Sequence, residues 1–219
     1  MTSTRLPGKS LLVLDGERTT LELHAERLRH ASKPDLVVVT TSTDESDDRI
    51  ADLCRDLGVE VHRGALDDVA ARFLAVIDRF ELDAFVRVTG DSPLIDHSLI
   101  DAGIALFQQG GFDVVSNVRP STYASGHSWE AVDAGAFRAA YPDMREPGHF
   151  EHVTSFLYSQ PDRFRVRNVR REPDDGAINL SIDTMEDARI VGAILARMDR
   201  PHWDYDYEEI MRLYRAVAG

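Results

Sequence analysis

The sequence predicts an α/β fold with a doubly wound, mostly parallel sheet. Segments typical of strands alternate with segments typical of helices through the first half of the 219-residue chain. That alternation is characteristic of parallel sheets that carry helices on both faces. The segment DLVVVTT at 35–41 is almost continuously apolar and rich in valine, which indicates a strand buried on both faces. Such sheets bind ligands at the carboxyl ends of their strands, so the residues that follow strands are the first candidates for a site.

Periodicity and end signals justify the elements of the first half in order. Leu11–Leu14 form a short extended segment, and Leu21, Ala25 and Leu28 then share one face of a helix. The acidic start of DESDDRIADLCRDLG suits a helix N-terminus, and Gly58 suits its C-cap. The remaining elements predicted in this half are a strand at 59–64, a helix at 67–80 and a strand at 83–91.

The second half of the chain is less regular. The predicted elements are a strand at 112–118, a strand turning into a helix at 128–141, a helix at 149–161, an alternating edge or antiparallel strand at 163–170, a strand at 178–184, and helices at 185–198 and 206–219. The sequence shows no repeat and no linker. We therefore expect a single domain over residues 1–219, with its least regular segment at 119–148.

Composition excludes several classes of protein. The formal net charge of −13 at pH 7 argues against non-specific binding to nucleic acids or anionic membranes, so an anionic ligand needs local cations or a metal. Cys54 is the only cysteine, which excludes an intrachain disulfide, and its spacing with Ile50, Leu53 and Leu57 indicates a buried position on a helix. We find neither a membrane-spanning apolar run nor a signal-peptide pattern, and expect a cytoplasmic protein.

Two predicted strands end in an aspartate. Asp91 follows the strand of FVRVTGDSPLID, and Asp183 follows the strand of LSIDTMED. Each has a structural alternative, because an acidic or hydroxyl side chain can cap the next helix. Asp96 is better placed than Asp91 for the first cap, whereas Asp183 or Thr184 suits the second. Two carboxylates at strand ends can converge on one Mg²⁺, which prefers oxygen ligands and commonly bridges carboxylates to phosphates.

The opening segment MTSTRLPGKSLL is polar and contains a turn signal. Pro7-Gly8 favours a turn, and Arg5 and Lys9 place one cation on each side of it. Backbone N–H groups beside a glycine, together with two cations, suit an anion such as phosphate. The alternative is a frayed chain terminus.

Six groups of motifs occur in order along the chain. They are STRLPGK at 3–9, RG, DDV and RF within 63–73, RVTGDSPLID at 87–96, DVVSNV at 113–118, EHVT at 151–154 and IDTMED at 182–187. In this order they resemble the cytidylyltransferase family that activates sugar acids, and most of all its spore-coat polysaccharide branch. The resemblance covers nearly the whole chain and implies a Rossmann-like nucleotidyltransferase fold.

The resemblance implies roles for the residues that match these motifs. The opening loop would cradle the triphosphate of CTP, while Asp91 and Asp183 would hold Mg²⁺. The implied nucleotide-binding residues are Ser3, Arg5, Lys9, Arg63 and Gly90, and the implied catalytic residues are Arg5, Lys9 and Asp91. The implied acceptor-binding residues are Tyr123, Glu130 and His152. Arg72 and Arg87 are further candidates for ligand contacts, and the alternative for each arginine is a solvated surface cation.

The implied reaction needs no nucleophile from the protein, since an acceptor oxygen attacks the α-phosphorus of CTP and expels pyrophosphate. The expected partners are CTP and a small-molecule acceptor, with no nucleic acid and no membrane, and the resemblance implies a homodimer. The acceptor stays open, because Ser125 and Ser128 stand where relatives carry acids. The alternatives are a phosphonate or a sugar or polyol phosphate as acceptor, or a catalytically degenerate nucleotide-binding protein.

The resemblance also implies a further strand before STRLPGK, which ends in an Ala-Arg pair. This sequence starts with the loop itself, and Thr2 stands where a glycine is common. An unpaired gap in a parallel sheet leaves backbone groups unsatisfied. We therefore expect either a true start further upstream or a strand that a partner chain supplies.

Overall fold

The computed structural model describes residues 6–219, and the strands in this part of the chain form two sheets. Strands β1 (Val38–Ser42) and β2 (Glu60–Gly64) make a two-stranded sheet. The other sheet has the order β3-β5-β4-β6, with β3 at Ala84–Arg87, β4 at Val114–Ser116, β5 at Glu130–Asp133 and β6 at Val166–Asn168.

Strand direction confirms the predicted α/β class with a mostly parallel sheet. β1 pairs with β2 in parallel, β4 pairs with β6 in parallel, and β5 runs antiparallel to both of its neighbours, β3 and β4. Because β5 reverses direction between them, β3 and β4 point the same way. The carboxyl ends of β3, β4 and β6 therefore meet at one edge of the sheet.

Helices connect most of these strands. Their bounds are α1 Thr20–Arg29, α2 Asp48–Asp56, α3 Val69–Arg79, α4 His97–Phe107, α5 Ala134–Ala140, α6 Pro147–Glu151, α7 Ser155–Ser159, α8 Met185–Leu195 and α9 Tyr207–Ala218. Short 3-10 helices lie at Lys9–Leu11, Glu45–Asp47, Tyr141–Asp143 and His202–Asp204. In residues 6–219, every helix is too short or too polar to cross a membrane.

Helix α1 packs against two hydrophobic clusters. Leu21 and Ala25 lie in one cluster with Cys54 of α2, and Leu23 lies in another with Ile182 and residues of α8 and α9. Cys54 is fully buried, as the sequence predicts, and burial raises the pKa of its thiol to about 11. The thiol therefore stays protonated and acts as a small apolar group.

The strand predicted at 178–184 does not form. Its backbone donors go to different loops: Leu180 N–H donates to the carbonyl of Ser125, and Ile182 N–H donates to the carbonyl of Asp91, at 2.9 and 2.8 Å. Because consecutive donors of the segment pair with separate parts of the chain, no regular ladder develops.

The single helix predicted at 149–161 is two short helices, α6 and α7. Between them His152 has φ −99° and ψ 67°, outside the helical region. Thr154, which follows in the break, is buried, and its hydroxyl donates to the Glu130 carboxylate at 2.8 Å. A partner so distant in sequence leaves no local signal for the interruption.

The extended segment predicted at Leu11–Leu14 does not form either. Its first residue ends the 3-10 helix that begins at Lys9, and Val13 makes an isolated antiparallel bridge with Thr19. The bridge closes a tight loop before α1 instead of extending a sheet.

Strand β1 is less buried than its sequence predicts. Val38, Val39 and Thr40 are half-buried, because β2 is the only strand that pairs with β1 within residues 6–219. The edge position predicted for β6 is confirmed, since β6 pairs with β4 alone in the described sheet, and that pairing is parallel.

Arg27 of α1 is a fully buried cation that joins three parts of the fold. Its guanidinium donates to the backbone carbonyls of Ile95, His202 and Tyr205. Burial lowers its pKa to about 10, and the charge of nearby Asp96 opposes that shift. The guanidinium therefore stays charged at neutral pH and fixes α1 against the start of α4 and the segment before α9.

We expect Arg27→Met to destabilise the protein by about 3 to 5 kcal/mol. Each buried carbonyl left without a donor costs about 1–3 kcal/mol, and three carbonyls lose their donor together. Urea unfolding measures the change. Arg55→Met removes a guanidinium whose side chain is 65% exposed, and as the control it should stay within about 0.5 kcal/mol of wild type. Equal effects of the two substitutions would contradict a structural role for Arg27.

Candidate active site

Asp91 lies in the loop that leaves the carboxyl end of β3. It does not cap α4, because Asp96 takes that role by accepting a hydrogen bond from Ser98 N–H at 2.8 Å. The loop is fixed to α1 by His24, whose Nδ1 donates to the carbonyl of Ser92 at 2.8 Å. Burial lowers the pKa of His24, so its imidazole is neutral and serves as a structural donor.

Asp183 reaches the same place from the segment before α8. The bond from Ile182 N–H to the Asp91 carbonyl sets the two backbones side by side at 2.8 Å. Thr184 caps α8, since its hydroxyl accepts from Asp187 N–H at 3.2 Å while the Asp187 carboxylate accepts from Thr184 N–H at 2.7 Å. Asp183 is therefore not needed as the cap.

Lys9 bridges the two aspartates. Its Nζ lies 2.5 Å from Oδ2 of Asp91 and 2.9 Å from Oδ1 of Asp183. The predicted turn presents it: Gly8 has φ 78°, in the left-handed region that favours glycine, and its carbonyl accepts from Leu11 N–H at 2.9 Å. The side chains of Lys9, Asp91 and Asp183 are 16%, 21% and 24% exposed, so the group faces solvent through a narrow opening.

The ion pairs shift two pKa values in opposite directions. Burial by itself would raise the pKa of the Asp91 carboxyl, but the hydrogen bond and charge of Lys9 outweigh it and lower that pKa. Burial would likewise lower the pKa of the Lys9 ammonium, and the hydrogen bonds and charges of Asp91 and Asp183 raise it instead. The Lys9–Asp91 pair is thus charged throughout the physiological range.

This arrangement suits a divalent cation with oxygen ligands. Two carboxylates already converge on one positively charged group, and carboxylates are ligands that Mg²⁺ prefers. Within residues 6–219 no cluster of three or more His, Cys, Asp or Glu side chains has metal-binding geometry. An ion held by Asp91 and Asp183 would therefore complete its shell with water and with oxygens of a substrate.

The candidate nucleotide-binding residues are only partly assembled. Ser3 and Arg5 lie outside the described residues. Arg63, at the end of β2, donates from Nε to the Ser42 carbonyl at 2.8 Å and lies 2.7 Å from the Asp48 carboxylate. Gly90 is exposed, and a side chain there would meet no atom within 4 Å. The roles of all four candidates in nucleotide binding stay predictions.

The three candidate acceptor-binding residues have different surroundings. Glu130 is buried at the start of β5, whereas His152 is exposed after α6. The Tyr123 ring packs edge-on against the ring of Tyr207 at 5.3 Å and lines a cleft of about 430 Å³ with Arg171. The lining of that cleft includes neither Glu130 nor His152, and their roles stay predictions.

Ser125, one of the two serines that stand where acids were expected, is close to the site. Its hydroxyl and that of Ser181 lie 2.6 Å apart, and Ser181 is two residues before Asp183. The backbone bonds of Ser125 to Ile178 and Leu180 hold this loop beside the segment that carries Asp183. The position supplies neutral hydroxyls where a carboxylate would add charge.

Sequence reasoning missed the partners of Glu130. The carboxylate contacts Arg87 of β3, Thr154 and Tyr158 of α7. The one available signal is Glu130 itself, a charged residue that is followed by two apolar residues in β5. A buried charge predicts a cation partner, but nothing in the sequence says which one.

A second cleft, of about 570 Å³, lies elsewhere on the surface. Its lining includes Leu14, Arg18, Gly192 and Trp203, and it includes none of the three residues that form the Lys9 bridge. Ion pairing of Arg18 with Asp15 fills part of its polar rim. The two carboxylates and Lys9 therefore lie outside this cleft.

Comparisons with known proteins concern the family and the fold of the chain. A profile described as cytidylyltransferase matches residues 1–213. The spore coat polysaccharide biosynthesis protein SpsF of Bacillus subtilis is 30% identical over 97% of this chain and 90% of its own length. The 3-deoxy-manno-octulosonate cytidylyltransferase of Myxococcus xanthus is 34% identical over 67% of this chain and 62% of its own length. The solved structure of a cytidylyltransferase from Leptospira borgpetersenii has TM-score 0.93 and 29% identity, covering 100% of this chain and 91% of that one.

We expect Asp91→Asn to flatten the acid side of the stability profile. The folded-state pKa of Asp91 lies below its unfolded value, so the unfolded chain binds more protons as the pH falls through about 4 and wild type loses stability there. Asparagine does not titrate, so the variant lacks this loss. Urea unfolding at several pH values between 3 and 6 measures both slopes, with Asp52→Asn on the exposed side of α2 as the control. Equal slopes for wild type and Asp91→Asn would contradict the ion pair.

Proposed function

The chain belongs to the cytidylyltransferase family, and we propose that it transfers CMP from CTP to a sugar acid with release of pyrophosphate. The observation that carries this proposal is the convergence of Lys9 and Asp183 on Asp91, in the loop that leaves the carboxyl end of β3. An ammonium group and two carboxylates in one partly open site suit a triphosphate and its counter-ion.

The relatives support the class of acceptor. One is described as a spore coat polysaccharide biosynthesis protein and another as a 3-deoxy-manno-octulosonate cytidylyltransferase. The first description names a polysaccharide, and the second names a sugar acid. A sugar acid is therefore the acceptor we propose to test first.

The reaction makes one phosphorus–oxygen bond and breaks another. A hydroxyl oxygen of the acceptor bonds to the α-phosphorus of CTP, the bond from the α-phosphorus to the bridging oxygen breaks, and pyrophosphate leaves with its electron pair. The hydroxyl proton passes to solvent. Since no covalent intermediate with the protein is needed, the residues act by position and charge.

We further propose that Asp91 and Asp183 hold Mg²⁺. When bound, this ion supplies positive charge that neutralises the phosphates of the nucleotide. The two carboxylates would hold the ion, and the bond from Ile182 N–H to the Asp91 carbonyl keeps the segments that carry them side by side. His24 and Ser92 hold that loop against α1 and so limit its movement.

Lys9 then has two successive partners. Its ammonium donates to one oxygen of Asp91 and to one oxygen of Asp183, the two carboxylates that would hold the ion. An ion held by the two carboxylates would compete with the Lys9 ammonium, because like charges repel each other. Its ammonium is then available to a phosphate oxygen, which has the opposite charge.

We expect CTP with Mg²⁺ to stabilise the protein against thermal unfolding. At a CTP concentration about 100 times the dissociation constant of CTP, binding adds roughly 2.7 kcal/mol to the free energy of unfolding. For a chain of this size that raises the melting temperature by about 5 to 10 °C. UTP, GTP and ATP are the comparison nucleotides. Pyrophosphate release is measured with four acceptors: 3-deoxy-manno-octulosonate, N-acetylneuraminate, glucose 1-phosphate and mannose.

In the same assay Asp91→Asn should lower turnover by about 100-fold or more, because an amide would hold the proposed Mg²⁺ more weakly and the ion would neutralise less of the phosphate charge in the transition state. Asp52→Asn should leave turnover unchanged. Full activity of Asp91→Asn would remove the metal assignment, and the absence of a shift with every nucleotide would contradict the proposed function.

In the absence of nucleotide, we expect Lys9→Met to bind Mn²⁺ about tenfold more tightly than wild type does, because the ion no longer competes with an ammonium. A tenfold change in Kd corresponds to about 1.4 kcal/mol of binding free energy. Titration with Mn²⁺ followed by electron paramagnetic resonance measures this affinity. Lys33→Met is the matched control, since Lys33 is the only other lysine and is exposed. Turnover should fall in Lys9→Met alone. Unchanged Mn²⁺ affinity would contradict competition between Lys9 and the ion.

A further inference from the structure

The last rung of the four-stranded sheet is polar on all four strands. Arg87 pairs with Glu130, Glu130 pairs with Ser116, and Ser116 pairs with Asn168. Cross-strand partners project on the same face of a sheet. These four residues, here named the polar row, therefore form a line across the carboxyl ends of β3, β4 and β6.

The polar row interrupts an apolar face. Two residues away along each strand, on the same face, the partners are Phe85, Val132, Val114 and Val166, which belong to one hydrophobic cluster. Packing of the core does not require polar residues at the rung of the polar row, and burying polar groups costs free energy. The change occurs at the edge where sheets of this class bind ligands, so the polar row is suited to a ligand.

Buried Glu130 holds Arg87 in place. The carboxylate is 3% exposed, and its Oε2 accepts from Nη1 of Arg87 at 2.6 Å. Its Oε1 accepts from the hydroxyls of Thr154 and Tyr158, each at 2.8 Å. The phenol has one hydrogen, so the Ser116 hydroxyl, 2.8 Å from Tyr158, donates to it. Both oxygens of Glu130 are thus engaged and neither is left for a ligand.

Arg87 keeps donors that the described contacts do not use. Among residues 6–219 only its Nη1 makes a hydrogen bond, and its side chain is 23% exposed. A guanidinium has five N–H donors in a planar fork. A fixed, partly open guanidinium with free donors matches a carboxylate or a phosphate better than it matches a neutral hydroxyl.

A second arginine, Arg119, lies over the ring of Tyr158, whose hydroxyl donates to Glu130. The Cζ of Arg119 is 4.8 Å from the centre of the Tyr158 ring, and the Arg119 backbone N–H donates to the Asn168 side chain at 2.9 Å. Arg87 and Arg119 bring two positive charges, against the single negative charge of Glu130. This local excess stands out in a chain of net charge −13.

We propose that the polar row is the acceptor subsite, in which Arg87 and Arg119 bind the anionic group of the acceptor, a carboxylate or a phosphate. This inference rests on the proposed function. Arg87 precedes Asp91 by four residues, so their Cα atoms are at most about 14 Å apart. One small acceptor can then contact Arg87 at its anionic end and direct a hydroxyl toward the nucleotide. Glu130 is a positioning residue, which acts on the acceptor through Arg87.

The test measures the kinetics of pyrophosphate release with the four acceptors named above. Wild type should accept an anionic acceptor and reject mannose. Arg87→Met and Arg119→Met should each raise the KM for the anionic acceptor about tenfold or more, with a smaller change in kcat, and leave the Kd of CTP within about twofold. Arg165→Met is the matched control, because Arg165 precedes β6 at the opposite edge of the sheet and is 68% exposed. It should change neither constant.

A second variant guards against misfolding. Arg87→Met leaves Glu130 buried without its cation, so the double variant Arg87→Met with Glu130→Gln removes both charges and keeps an acceptor for Thr154 and Tyr158. It should fold, bind CTP and show the same raised KM. Carboxylate and phosphate acceptors compared in wild type identify which anion the subsite takes.

The outcomes separate the two proposals. If CTP does not bind wild type, the proposed function fails. If CTP binds but no anionic acceptor reacts, the proposed transfer to a sugar acid also fails. If an anionic acceptor reacts but mannose serves as well, or if the folded arginine variants keep the wild-type KM, the acceptor subsite is wrong and the proposed function stands.

Discussion

Two ionised carboxylates repel each other, and a cation that contacts both Asp91 and Asp183 offsets that repulsion. Lys9 is that cation, with its Nζ 2.5 and 2.9 Å from the two groups. The contact joins the opening loop, the end of β3 and the start of α8. Because the same oxygens suit a divalent ion, one electrostatic constraint both completes the fold here and keeps the proposed metal site ready.

The surrounding scaffold limits how far these groups can move. The backbone bond from Ile182 to Asp91 sets the spacing of the aspartates, and neutral His24 ties the Asp91 loop to α1. Helix α1 is itself anchored by buried Arg27. A site that works by position and charge depends on such rigidity, because electrostatic stabilisation falls when charged groups must first reorganise.

Two kinds of polar group lie near the carboxyl ends of the strands in the four-stranded sheet. At the end of β3 the Lys9 bridge is partly open, and its partners can change. In the polar row Glu130 is buried with both oxygens engaged, so it serves to fix Arg87 and not to meet a ligand. Under the proposed function, nucleotide and acceptor then lie on neighbouring parts of one edge, as an attack on the α-phosphorus requires.

Local sequence determined several of the helices and strands and some of their ends. The periodicity of α1 and the cap of α4 at Asp96 depend on neighbours a few residues apart, and both were predicted correctly, as was the burial of Cys54. Asp91 and Asp183 could be singled out because each follows a predicted strand. Motif order was enough to indicate the family, which a profile over residues 1–213 confirms.

Tertiary structure alone decided which distant residues meet. Lys9 lies 82 and 174 positions from its two aspartates, and the register of four strands brings Arg87, Glu130 and Ser116 into one row. The expected strand at 178–184 failed for the same reason, since its donors found partners in separate loops. Short-range patterns fix backbone conformation, but long-range pairing depends on how the whole chain packs, and no single segment encodes it.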